Sequence, residues 1–150
     1  MLDDLYSARI LALAANMPRA GRLDAPQASA ERNAKLCGSR ITVDVSLDAD
    51  GRVADFAQQV QACALGQAAA AVLGENVIGA TRDEIATALE AFSAMLKQGG
   101  PPPEGRFKDL AVLQPVKDYP ARHASSLLAF EAALAAVQQA ATRTSGADAA

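Results

Sequence analysis

The sequence predicts an α+β fold, a small three-stranded antiparallel sheet packed against about four to five helices. Strict apolar alternation over residues 41–47, a tight-turn tetrapeptide and a second extended run predict an antiparallel hairpin. Apolar residues recurring every three to four positions before and after that hairpin predict helices. The two kinds of element are segregated along the chain, helix then strands then helices, which argues for helices covering one face of an antiparallel sheet.

Leu2, Leu5, Tyr6, Ile10 and Leu13 share one face of an N-terminal helix. It should stop at Asn16-Met17-Pro18, because proline disfavours helical geometry in the residue before it. Residues 19–26, with Gly21 and Pro26, read as a loop leading to a short strand over 28–32. Ile41, Val43, Val45 and Leu47 then point one way, and Thr42, Asp44 and Ser46 the other. Asp48-Ala49-Asp50-Gly51 supplies the turn, with Gly51 free to take positive φ, and RVADFAQQVQA returns as the next strand.

After Ala62 the stretch CALGQAAAAVLGENVIG reads as a helix with Leu65, Ala69, Val72 and Asn76 along one face, closed by Gly79. Thr81 and Glu84 have the spacing of a capping box, and Ile85, Leu89, Phe92 and Leu96 continue one side of the helix it starts. QGGPPPEG, residues 98–105, sustains neither helix nor strand and reads as a mobile loop. A last helix is expected over 120–141, with Leu127, Phe130, Leu134 and Val137 inward. Residues 1–141 are thus expected to form a single domain and 142–150 a flexible tail.

The 150 residues suffice for one core that removes roughly two thirds of the unfolded surface from water. Fourteen basic and 17 acidic residues, with no cluster of four or more Lys and Arg, argue against nucleic acid as a partner. Asp3 and Asp4 stand where a secretory signal would carry positive charge, and no apolar window is long enough to span a membrane. A cytoplasmic protein is expected. The 51% hydrophobic but 4% aromatic composition favours closely packed, alanine-rich helices.

Cys37 and Cys63 are too few for a disulfide framework, and in a reducing compartment they suit thiol or metal chemistry. Cys63 opens a helix, where unpaired amides and the positive dipole end favour the thiolate. Cys37 precedes Gly38 on a loop that could bring it near Cys63. Free cysteines also serve as small buried hydrophobes, so a shared thiol site and two inert structural thiols both stand open. Asp44, Asp48, Asp50 and Asp55 read as solvated strand and turn residues. No Ser-His-Asp set, P-loop or dinucleotide signature is present, and the cysteines are not a C-x-x-C pair, so an enzyme is not expected.

Four segments carry a resemblance to a known family. Asn16-Met17-Pro18-Arg19-Ala20-Gly21 follows the first helix. Leu36-Cys37-Gly38-Ser39-Arg40-Ile41 enters the strand. Asp50-Gly51-Arg52-Val53-Ala54-Asp55 is followed by Ala62-Cys63-Ala64, and Tyr119-Pro120-Ala121-Arg122 leads into Leu128-Ala129-Phe130. In this order and spacing the chain resembles the NifU/IscU-type iron–sulfur cluster assembly scaffold family, nearest its SufU-like branch.

The resemblance implies a protein that receives sulfur from a cysteine desulfurase, holds iron and sulfur, and passes a cluster to acceptor proteins, with a homodimer open. The family's site uses three cysteines and an aspartate. Cys37 and Cys63 match two of these and are the implied metal and cluster ligands, while Ser39 and Ser125 stand at the aspartate and third-cysteine positions. A hydroxyl is a far weaker ligand than thiolate or carboxylate. The implied cargo is therefore a labile iron–sulfur cluster, iron or zinc, or nothing stably bound. The alternative is a protein-interaction module that kept the fold and lost the metal chemistry. His123 lies about 200° around a helix from Ser125 and reads as a surface or cap residue.

Overall fold

The computed structural model describes residues 7–35 and 38–149, with side chains to residue 142. Cys37 lies outside the described residues, as do Leu2, Leu5 and Tyr6. Helix α1, Ala8–Ala15, starts at Ser7, whose hydroxyl accepts from the Ile10 amide, and it buries Ile10. Three strands follow, β1 (Ala28–Ala34), β2 (Ser39–Leu47) and β3 (Val53–Gln61), in the order β1-β2-β3 with both pairs antiparallel. The first strand runs two residues beyond the expected end at Arg32, because register with β2 continues to Ala34↔Ser39.

One face of the sheet carries the core, although Arg32 on β1 stays exposed. Ile41, Val43 and Val45 are buried there, opposite Arg32, Ala30 and Ala28 on β1 and opposite Val60, Gln58 and Phe56 on β3. The expected alternation holds from Ile41 to Val45, then a register irregularity between Ser46 and Leu47 leaves Leu47 partly buried at the hairpin. The turn itself is as expected, with Gly51 at φ 80° and the Asp48 carboxylate accepting from the amides of Asp50 and Arg52.

Three further helices complete the layer: α2 (Ala64–Asn76), α3 (Arg82–Gln98) and α4 (His123–Ala149). Helix α4 lies across β1 and β2, while α2 packs against α4, α1 and β3. Flanked in this way, α2 buries Leu65 and every residue from Ala68 to Gly74, so it has no polar face of the kind its expected single stripe implied. Its small side chains permit that enclosure; at Gly74 a Cβ would stand 2.8 Å from Pro18 Cγ. Helix α3 opens with the expected capping box, the Thr81 hydroxyl accepting from the Glu84 amide and the Glu84 carboxylate from the Thr81 amide, both at 3.1 Å. Such a cap contributes about 1 kcal/mol. Gly99 ends the helix in the left-handed region at φ 68°.

Residues 105–118 carry no expected element, yet Gly105–Asp118 winds into 3-10 turns broken by a kink at Phe107 (φ −106°, ψ 26°), followed by a further 3-10 turn, Pro120–Arg122. Pro115 and the short apolar spacing hide it from a 3.6-residue pattern, although Phe107, Leu110, Leu113 and Val116 are all buried. Phe107 meets Phe130 of α4 edge-on at 5.2 Å, and Phe92 of α3 meets the same ring at 5.9 Å. That aromatic cluster joins three elements in one core. Helix α4, expected to end at Ala141, runs on to Ala149, through TRTSGADA, which holds no proline.

Candidate functional site

Antiparallel pairing decides which residues meet. Because Arg40 at the start of β2 pairs with Gln61 at the end of β3, Ser39 and Cys63 are brought to the same end of the sheet. The first turn of α4, crossing β2, delivers Ser125 to that end. The Ser39 and Ser125 hydroxyls are 3.1 Å apart, and the Ser125 hydroxyl lies 3.4 Å from Cys63 Sγ. Ser39 and Ser125 are both buried, while Cys63 is a free, half-buried thiol.

The close approach depends on a glycine that sequence reasoning did not single out. A Cβ built on Gly66 would stand 3.0 Å from both the Ser125 carbonyl oxygen and its hydroxyl, and 2.9 Å from Ala62 Cβ. Gly66 therefore lets α4 seat Ser125 against the first turn of α2. Its only signal in the sequence is its place three residues after Cys63, one helical turn on.

Cys63 occupies the N-cap of α2, one position before the helix expected to contain it, and its side chain makes no capping hydrogen bond. Its sulfur is directed to Ser125 instead of to the free amides.

His123, expected at the surface or as a cap, is buried, and its Nε2 lies 3.0 Å from the Val116 carbonyl oxygen. The 3-10 stretch that the sequence pattern concealed covers it and supplies that partner. Asp44, expected to be solvated, is also buried. Arg22 reaches it with Nε at 2.6 Å and Nη2 at 3.0 Å, the Leu23 amide donates at 3.0 Å and the Ser29 hydroxyl at 2.5 Å. The 19–26 loop folds over the outer face of the sheet and makes this burial tolerable. Burial would raise the Asp44 carboxyl, but the bonds from Arg22, Ser29 and Leu23 and the Arg22 charge hold it below its ordinary value.

Among the described residues, no group of three or more His, Cys, Asp and Glu side chains is placed to hold a metal ion. No helix among them is long and apolar enough to cross a membrane.

An α+β layer gathers a thiol and two buried hydroxyls at one end of its sheet. Residues 5–126 match the family described as NifU-like N terminal domain, and the chain belongs to that family. The iron-sulfur cluster assembly scaffold protein IscU of Thermotoga maritima is 31% identical over 127 residues, 85% of this chain and 88% of that protein. Its namesake in Streptococcus pyogenes is 26% identical over 140 residues, 93% of this chain and 87% of that protein. The crystal structure of a nitrogen-fixing NifU-like protein (N-terminal) from Brucella abortus superposes with a TM-score of 0.91 at 51% identity, covering 94% of this chain and 97% of that one.

Membership gives the geometry its meaning. Ser39, Cys63 and Ser125, which the resemblance matches to the aspartate, second-cysteine and third-cysteine positions, converge in space.

Proposed function

We propose that the chain serves iron–sulfur cluster assembly as a scaffold-type protein, holding or relaying sulfur or a labile cluster through Cys37 and Cys63. The observation that carries this reading is the contact of Cys63 Sγ with Ser125 at 3.4 Å, with Ser39 a further 3.1 Å on, three residues that the resemblance matches to the family's ligand set. A cysteine desulfurase supplies the sulfur and apo-proteins accept the product, in the cytoplasm, where thiols stay reduced. The chain acts as a carrier rather than an enzyme. Iron or zinc is held weakly, because the chain itself offers two thiolates and two hydroxyls.

The test is transfer to an acceptor. Anaerobically, with a cysteine desulfurase, cysteine, ferrous iron and an apo-ferredoxin, the chain should accelerate cluster formation on the ferredoxin. The variant with Cys37→Ser and Cys63→Ser should not. The mutual bonding of Ser39 and Ser125, which occupies two ligand positions with neutral groups, favours a second reading as an interaction module. Acceleration that survives loss of both thiols would establish that module.

A further inference from the structure

The free edge of β3 is only partly used. The Gln58 amide donates to the Arg19 carbonyl at 3.0 Å and the Gly21 amide donates to the Gln58 carbonyl at 2.9 Å, so the chain at Ala20 lies beside β3 as a short parallel bridge. Both main-chain groups of Gln58 therefore point away from β2. Their direction alternates along an antiparallel pair, and the register is regular from Thr42↔Gln59 to Arg40↔Gln61, so the amide and carbonyl of Val60 point away from β2 as well. Among the described residues nothing meets them. Gly21, at φ 125°, turns the chain off the edge, and Arg22 is drawn over the sheet to Asp44. The vacated place is a groove of about 760 Å³, within the range of roughly 300–1,000 Å³ that bound ligands occupy. Val60 lines it together with Met17, Gly21, Gln67 of α2 and, from the outer face of the sheet, Arg40 and Glu31.

We infer that the β3 edge at Val60 docks an extended peptide segment of a partner protein, added as a further strand with an acidic side chain toward Arg40. A peptide carbonyl accepts from the Val60 amide and a peptide amide donates to the Val60 carbonyl, as residues 19 and 21 already do at Gln58. Alternate side chains of an extended chain face opposite ways, so one set covers the partly buried Met17 and Val60 while the other reaches the outer face. There the lining holds two arginines, Arg22 and Arg40, against one glutamate. Arg40 is exposed and spends one N–H on Gln61 Oε1 at 3.1 Å, which leaves donors for a carboxylate. Glu31 accepts from the Thr42 hydroxyl at 3.2 Å. A second copy of this chain is a poor occupant, because its own β3 edge carries the same bridge and is recessed in the same way. A single extended chain is slim enough to enter. The inference goes beyond the scaffold reading and uses no thiol chemistry.

The full-length protein, labelled with nitrogen-15, is titrated with two synthetic peptides of about eight residues, one alternating valine with glutamate and the other valine with lysine. The glutamate peptide should bind with a Kd of about 1 mM or tighter, and the lysine peptide at least about fivefold more weakly. With the glutamate peptide at about ten times its Kd, hydrogen exchange at the Val60 amide should slow about tenfold, since only the free protein exchanges there. The Thr42 amide, already inside the sheet, should not change. Arg40→Glu, at an exposed position, should reverse the preference between the two peptides. Saturable binding with Val60 protected and the preference reversed upholds the inference. No saturable binding, binding that leaves Val60 exchange unchanged, or a preference that Arg40→Glu does not alter overturns it. Protection of Val60 that rises with protein concentration in the absence of peptide gives the edge to a second copy and also overturns it.

Discussion

The hydroxyl of Ser39, at the start of β2, lies 3.1 Å from that of Ser125, in the first turn of α4, across 86 residues of chain. Both are buried, so each satisfies the other in a place where an unmade hydrogen bond would cost on the order of 1–3 kcal/mol. The pair thus has a structural role of its own, independent of any ligand. It ties the first residue of β2 to the first turn of α4.

Coupling between the two serines follows from that contact. Ser125→Ala should cost about 1 kcal/mol in urea unfolding, because it removes a partner from Ser39 and from Cys63. Adding Ser39→Ala should cost less than its single effect, since the two substitutions remove one shared bond. Strict additivity would show that the hydroxyls do not act together.

Gly66 gives a second, steeper test. Alanine is the better helix former by about 1 kcal/mol, so an unconstrained site would gain stability from Gly66→Ala. Here the added methyl meets Ser125 backbone and side chain at 3.0 Å and Ala62 at 2.9 Å, and α4 must move outward. The expected outcome is a net loss of about 2 kcal/mol together with faster alkylation of Cys63. A raised melting temperature would mean that the helices are not held this closely.

Much of this site was legible in the sequence, and the unread part has identifiable causes. The alternation from Ile41 to Val45, the Gly51 turn and the Thr81–Glu84 box are local patterns, and local patterns survive into the fold. The convergence of Ser39 and Ser125 was expected through family resemblance, and Cys63 joins them; Cys37 lies outside the described residues. The 3-10 stretch Gly105–Asp118 was missed because its period is close to three, with Pro115 inside it. His123 was misjudged as a consequence, its partner Val116 lying in that stretch. Asp44 sits on the outward-facing register of a strand, and nothing local shows that Arg22, 22 residues earlier, covers it.

His123 and Cys63 should therefore separate cleanly by experiment. Cys63→Ser removes the sulfur that touches Ser125 and should sharply lower sulfur uptake from a desulfurase and cysteine, with a small change in stability. His123→Ala removes a buried ring and its bond to Val116, and should cost about 2 kcal/mol of stability while leaving sulfur uptake per folded molecule near wild type. Peptide mapping after persulfide loading checks both. Loss of uptake in the stable fraction of His123→Ala would give the imidazole a role at the thiol site.

Asp44 makes a prediction in pH. Its carboxyl is held below the ordinary value of 3.8 by the bonds from Arg22, Ser29 and Leu23, which outweigh the opposing effect of burial. The unfolded chain then binds the proton more readily than the folded one in the acid range. The stabilisation is complete above the ordinary value and is lost as pH falls through the lower folded one. Asp44→Asn presents an amide NH₂ to donors that need an acceptor, and leaves the guanidinium of Arg22, half exposed and so still hydrated, without its anion. A loss of about 2–3 kcal/mol at pH 7 is expected. The gap between wild type and variant should narrow steadily as urea unfolding is repeated below pH 3.8. A gap that stays constant into acid would show that the ion pair is not what fastens the 19–26 loop to the sheet.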